Sequence, residues 1–316
     1  MIDLILDCDP GHDDAIAILL ASRADSIRLL GVTTVAGNSY VENTTVNARK
    51  VLDYAGVTDV PVHQGAGKPL MHELYRLTGA IIHGEDGLGG PSIPPAVTPI
   101  AQGHAVDFIV DTLRTHEGPV TLVAIGPLTN IAMVVTRAPE LLHKVDKLVI
   151  MGGAIRDPGN ITSAAEFNIY VDPEAAKIVF QSGMNIYLNT LDISMKAVFY
   201  AADIERIRAQ GGPVSTLVAE LLDFFGQTHV DHFGFLACPI HDALCIGCLI
   251  DENLVAWEHT YVDISVADPI TRGETVADLW GITGYMRNCH ISVKVDRERF
   301  VNMITEHMKM PYVSKR

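Results

Sequence analysis

The sequence predicts an α/β fold: a mostly parallel central sheet flanked by helices, a Rossmann-like open sheet, with a C-terminal helical and hairpin elaboration. Three observations lead there. Apolar runs of strand length alternate with helical patterns through the first two thirds of the chain, the signature of βαβ units. The runs are continuously apolar, as in parallel strands buried on both faces. Several also end alike, in DCDPG, TTVAGN, AIGPLTN, MGGA and LNTLD. Those ends would share the edge where open parallel sheets bind ligands.

Taken in order, strands are expected at Leu4–Leu6, Ile27–Thr34, Val60–Val62, Val120–Ile125, Leu148–Met151 and Ile186–Leu191. Helices are expected between them at Asp13–Ser22, Val41–Ala55, Ala105–His116 and Pro173–Gln181. His63–Gly103 is rich in Gly and Pro and contains HGEDGLGGP. A long irregular segment of this kind reads as a mobile cover over the site or as a surface excursion. Later, Val214–Phe235 reads as a long helix, Trp257–Val266 and Glu274–Trp280 as a hairpin, Ile291–Val295 as a strand and Arg297–Met308 as a final helix.

The 316 residues, 48% hydrophobic and 19% charged, describe a globular chain, read as one domain over 1–316. A net charge of -15 argues against nucleic acid or an anionic membrane as partner, since both require a basic surface. No apolar run reaches the ~20 residues of a membrane span, and the N-terminus carries no secretory pattern. Five cysteines without disulfide spacing fit a reducing compartment, so a cytoplasmic location is expected. Cys245 and Cys248 form a CxxC inside the apolar run ALCIGCLI, read as core packing over redox or zinc chemistry.

The chemistry concentrates at the start. Asp7, Asp9, Asp13 and Asp14 follow a short apolar strand, turn through Pro10-Gly11 and enter a helix. A helix N-terminus stabilises a negative charge by only about 0.3–1 kcal/mol. Each unpaired buried charge costs several kcal/mol, so an oxygen-seeking metal ion is implied. No dinucleotide fingerprint or P-loop is present.

DCDPGHDDA, VAGN, GPLTN, MGGA, AEFNIYVDPEAA and PIHDA occur in this order. Together they resemble the inosine-uridine preferring nucleoside hydrolase family. The resemblance implies hydrolysis of the N-glycosidic bond of ribonucleosides to ribose and free base, with a bound calcium ion (Ca2+), by a homodimer or homotetramer. The ion's ligands would be Asp9, Asp14, the carbonyl of Ile125 and Asp242. With a water and two ribose hydroxyls they total about eight oxygens, which suits calcium and exceeds octahedral magnesium. Asp9 would be the general base, and His241 the general acid toward the leaving base.

Substrate contacts implied are Asp13, Asn38, Met151, Asn160, Glu166 and Asn168, with His83, His229 and His241 toward the base. Glu166 and Asn168, two apart, would face the ribose together from an extended segment. His12 is expected to contribute little. Phe224, Phe225, His229, His232 and Phe233 would close the base pocket. Phenyl rings stack but cannot donate a proton, and the likeness leans toward uridine and cytidine. Two rival readings stand beside this one: a metal-dependent aspartyl phosphatase, and a non-catalytic calcium- and nucleoside-binding protein.

Overall fold

A computed structural model of the chain describes residues 1–74, 82–84, 86–234 and 237–315; the side chains of His232 and Phe233, expected at the base pocket, lie outside the described residues, as does Phe235. The strands in chain order are β1 (Ile2–Cys8), β2 (Ile27–Thr34), β3 (Val62–Gln64), β4 (Val120–Ala124), β5 (Val145–Met151), β6 (Ile186–Asn189), β7 (Val198–Phe199), β8 (Cys238–Pro239), β9 (Val255–Thr260), β10 (Val262–Ile264), β11 (Thr275–Ala277) and β12 (Cys289–Val295). The main sheet has the order β3-β2-β1-β4-β5-β6-β12-β9. Every neighbouring pair in it is parallel except β12–β9.

The helices are α1 (His12–Arg23), α2 (Val41–Tyr54), α3 (Ala105–Thr115), α4 (Thr129–Arg137), α5 (Phe167–Val171), α6 (Pro173–Phe180), α7 (Leu191–Ser194), α8 (Ala201–Arg208), α9 (Pro213–Phe233), α10 (Ala243–Ile250) and α11 (Arg297–Lys309). The alternation of side chains along β1 divides the core between two faces. Leu4, Leu6 and Cys8 pack with α1, α2, α9 and α11 through Ile16, Val51, Leu222 and Phe300. Ile5 packs on the other face with α3, α4 and α6 through Ile109, Ile131 and Val179. All twelve residues of α1 are buried, which explains why its sequence is apolar nearly all round.

Three expectations are corrected. The third strand begins at Val62 rather than Val60 and runs to Gln64. The hairpin exists only as the short pair β10–β11, because the backbone of β9 instead closes the sheet edge antiparallel to β12. Glu166 and Asn168 do not sit on an extended segment. Glu166 caps α5, accepting from Asn168 N at 2.9 Å and Ile169 N at 3.1 Å, so Asn168 lies within a helical turn.

Asp172, fully buried between α5 and α6, ties three segments together. It accepts from Ala175 N at 3.1 Å as the α6 cap, from Leu70 N at 2.8 Å and from Thr129 Oγ1 at 2.7 Å. Asp172→Ala strands all three donors, and a loss of about 3 kcal/mol is expected in urea unfolding. A loss under about 1 kcal/mol would show that water replaces the carboxylate.

Candidate active site

The strand order reverses between β1 and β4, which opens a crevice beyond their carboxyl ends. Asp9 is the first residue past β1 and Ile125 the first past β4. Asp9 is fully buried. Its Oδ2 accepts from Asn38 N at 2.7 Å, while Asn38 Nδ2 donates to the Asp9 carbonyl at 3.2 Å and to Asp14 Oδ2 at 3.3 Å. Oδ1 of Asp9 is sealed from solvent and has no hydrogen-bond partner. Glycines wall this carboxylate. A Cβ on Gly37 would stand 2.1 Å from Oδ2, and one on Gly126 would stand 2.5 Å from Oδ1.

Asp14, in the first turn of α1, folds back over the entering turn. It accepts from Asp9 N at 3.1 Å and Gly11 N at 2.9 Å. Asp13, Asp14 and Asp242 each offer an oxygen within 4.8 Å of the other two. Asp242 precedes α10 yet makes no capping hydrogen bond, so its carboxylate is available to the cluster. Burial, then Asp14, lifts the Asp9 carboxyl well above its usual range. Burial and neighbouring carboxylates lift Asp242 in the same way. Burial also raises Asp13 to about 7 and Asp14 to about 6. An unpartnered oxygen, a glycine cradle and converging carboxylates fit a hard divalent cation and no soft metal.

Asp7 stands apart from this cluster. Its Oδ1 accepts from Thr33 Oγ1 at 2.6 Å and Asn130 Nδ2 at 2.8 Å inside the sheet, and burial raises it to about 7. On the opposite wall, Asn168 Nδ2 donates to the Ile125 carbonyl at 2.9 Å and the Met151 carbonyl at 3.2 Å. Glu166 also accepts from Gly153 N at 2.9 Å. Asn160 is exposed, its Oδ1 accepting from Phe167 N at 2.9 Å.

A second group of side chains is imidazole and phenyl. His12 is fully buried, stacked on Phe224 at 4.9 Å and Phe225 at 5.6 Å. Its Nε2 is 2.8 Å from the Gly89 carbonyl and its Nδ1 is 3.0 Å from His83 Nδ1. The expectation that His12 contributes little is therefore corrected: it locks the described part of the HGEDG segment onto α1. A carbonyl can only accept, and burial lowers His12 to about 4, so the neutral ring carries its proton on Nε2. His83 Nδ1 also accepts from the His12 backbone N–H at 3.4 Å, so His12 holds this ring through both its backbone and its side chain.

His229 Nδ1 donates to the Phe225 carbonyl at 2.9 Å. In the neutral ring its Nε2 is an acceptor. His241 Nδ1 lies 2.7 Å from Ser194 Oγ. With that hydroxyl donating, His241 carries an Nε2 proton. Burial, then His229, pulls its pKa down to about 3. His229 and His241 rings are 6.4 Å apart, and His83 feels both. Ser194 and the two wall glycines had no signal in the sequence beyond their neighbours' motifs. Cys245 is buried and Cys248 half-buried, both in the core-facing helix α10.

The profile described as inosine-uridine preferring nucleoside hydrolase matches residues 4–302. The pyrimidine-specific ribonucleoside hydrolase RihA of Salmonella schwarzengrund is 45% identical over 308 residues, 97% of this chain and 98% of that one. Among solved structures, the purine-preferring ribonucleoside hydrolase from Gardnerella vaginalis superposes with a TM-score of 0.91 at 31% identity, over 97% of this chain and 98% of its own. A plant nucleoside hydrolase, PpNRh1, does so with a TM-score of 0.92 at 30% identity, over 98% and 99%. With the profile matched over nearly its whole length, the chain belongs to the inosine-uridine preferring nucleoside hydrolase family.

Proposed function

We propose that this chain hydrolyses the N-glycosidic bond of ribonucleosides, pyrimidine ribonucleosides foremost, with a calcium ion held by Asp9, Asp14, Asp242 and the Ile125 carbonyl. The observation that carries the reading is Asp9: fully buried, with one oxygen fixed by Asn38 and the other unpartnered in the switch-point crevice. A hard cation bound there supplies a lowered water pKa and a grip on vicinal hydroxyls. Asp9 then accepts the proton of the attacking water as general base. Asn38 holds that carboxylate in one orientation, which matters because the water must already lie in line with the anomeric carbon.

Asp13, Asn38, Asn160, Glu166 and Asn168 are assigned to the ribose, with Met151 packing beside it. The backbone donors on Glu166 and the two carbonyls under Asn168 pre-set both groups, which is what selective stabilisation of an oxocarbenium-like sugar requires. His241 is assigned to the leaving base. It can carry an Nε2 proton, whereas the neutral ring of His229 presents an acceptor there. The pyrimidine preference rests on the 45% identity to a pyrimidine-specific enzyme. Among the described residues no helix is long and apolar enough to cross a membrane. A cytoplasmic homodimer or homotetramer is the expected working form.

Four outcomes are expected. Uridine yields ribose, measured as reducing sugar, and 2′-deoxyuridine reacts slower by roughly 10³-fold or more, since the site would be built around the missing hydroxyl. Sugar release that requires phosphate, or inert nucleosides, overturns the reading. Removing divalent ions with a chelator lowers both turnover and Tm, and calcium restores them; indifference of both quantities to chelation would remove the ion. Third, Asp9→Ala loses about 10³-fold in kcat, and calcium raises its Tm less than that of the parent, because a ligand of the ion is deleted. His241→Ala slows uridine far more than a nitrophenyl riboside, whose leaving group needs no proton. Equal slowing of both substrates would strip His241 of its role.

A further inference from the structure

The four-residue helix α7 reaches toward both halves of the candidate site. Asp192, only 4% exposed, holds the segment that leaves β5. Its Oδ2 accepts from Ile155 N at 2.9 Å, and its Oδ1 from Arg156 N at 2.5 Å and Asp157 N at 3.0 Å. One residue earlier, Leu191 N donates to the Gly153 carbonyl at 2.9 Å. Burial opposes the charge on Asp192, yet the N–H groups outweigh it and keep the carboxyl below its ordinary range. These bonds fix the start of the loop that carries Asn160 and then Glu166 and Asn168. Three consecutive N–H groups on one buried carboxylate leave that backbone a single arrangement. Asp192 closes the LNTLD motif, which the proposed chemistry leaves unused.

Ser194 stands two positions on, so with about 3.6 residues per helical turn it points to nearly the opposite side of α7. It is fully buried, and its Oγ lies 2.7 Å from His241 Nδ1. The chain that follows it holds the backbone before His241. There β7 pairs antiparallel with β8, and Ile240 N donates to the Ala197 carbonyl at 3.3 Å. His241 is thus registered on the chain after α7 through its backbone and on α7 itself through its ring.

We propose that Asp192 and Ser194 are positioning residues for the hydrolysis: the first places the ribose loop through its backbone, and the second holds His241 in the tautomer protonated on Nε2. One turn of helix then sets both the sugar and the leaving base. Both roles rest on the reading of Asn160 as a ribose contact and of His241 as the donor to the base. A hydroxyl that donates to Nδ1 leaves the proton of the neutral ring on Nε2. A loop held in one geometry presents the sugar to the water without a search for alignment.

Kinetics on uridine and on a nitrophenyl riboside test the proposal, since the two share the sugar and differ in the leaving group. Asp192→Ala is expected to raise KM for both by about tenfold, and Asp192→Asn, which keeps one acceptor oxygen, by about threefold. The milder variant keeps the test valid should Asp192→Ala fail to fold. Ser194→Ala is expected to lower kcat on uridine about tenfold and to leave the nitrophenyl riboside within about twofold, with Ser194→Thr restoring uridine. Nitrogen NMR of histidine-labelled protein reads the tautomer apart from turnover: the His241 proton is expected on Nε2 in the parent and shared with Nδ1 in Ser194→Ala. Unchanged KM in the Asp192 variants, equal slowing of the two substrates in Ser194→Ala, or an Nδ1 proton on His241 in the parent would each overturn the proposal. A parent inert toward uridine that still carries the Nε2 proton would overturn the nucleoside assignment while upholding the hold of Ser194 on His241.

Discussion

The structure is organised around buried carboxylates that lack a counter-charge of their own. Asp9, Asp14 and Asp242 are all nearly or fully buried, with Asp13 among them. The helix dipole of α1 stabilises an adjacent anion by at most about 1–2 kcal/mol. Burial of several carboxylates costs more than that. Without a cation the protein resolves the deficit by holding protons, which is why all four carboxyls are lifted above their ordinary range. The stability of this end of the molecule is thereby tied to whatever positive charge enters it.

The surrounding fold makes that deficit tolerable. β1 is flanked by β2 and β4 at the centre of the sheet, so the backbone that carries Asp9 is held on both sides. Gly37 and Gly126 leave no Cβ between the carboxylate and its neighbours, keeping its oxygens open to a ligand. The Asn38 amide meanwhile satisfies the other Asp9 oxygen, and the Gly11 amide an oxygen of Asp14. Rigidity comes from the sheet and openness from the glycines. Neither would suffice alone.

Much of this is legible in the sequence, for physical reasons that also explain the gaps. Strands buried on both faces leave continuous apolar runs, so β1, β2, β4, β5 and β6 are visible from composition alone. The acids stand out because four carboxylates within eight residues exceed what a polar loop needs. The local pattern places β9 in a hairpin, whereas its pairing with β12 is a long-range choice that such a pattern does not encode. The segment at Glu166 alternates like a strand. Its carboxylate, however, satisfies the free N–H groups of a short helix, and that capping outweighs the alternation. The place of His12 is hidden in the sequence for a related reason: its partners His83 and Gly89 lie more than seventy residues away.

His12 also shows how a fully buried residue can organise the imidazole wall of a site. One carbonyl, at Gly89, decides which nitrogen of His12 holds the proton. The His12 Nδ1 and backbone N–H both meet His83 Nδ1, at 3.0 and 3.4 Å. The Phe225 carbonyl takes the Nδ1 proton of His229 and leaves the Nε2 of the neutral ring as an acceptor. His241 answers to a hydroxyl instead of a carbonyl, and a hydroxyl can donate as well as accept. One ring is thus locked as an acceptor by a backbone oxygen, and another is free to donate. Under the proposed function, a base beside this pair would meet an acceptor for its own N–H group and a donor for the atom that gains charge as the bond to the sugar breaks. The acidic wall would then serve the water and the sugar, and the imidazole wall the departing ring.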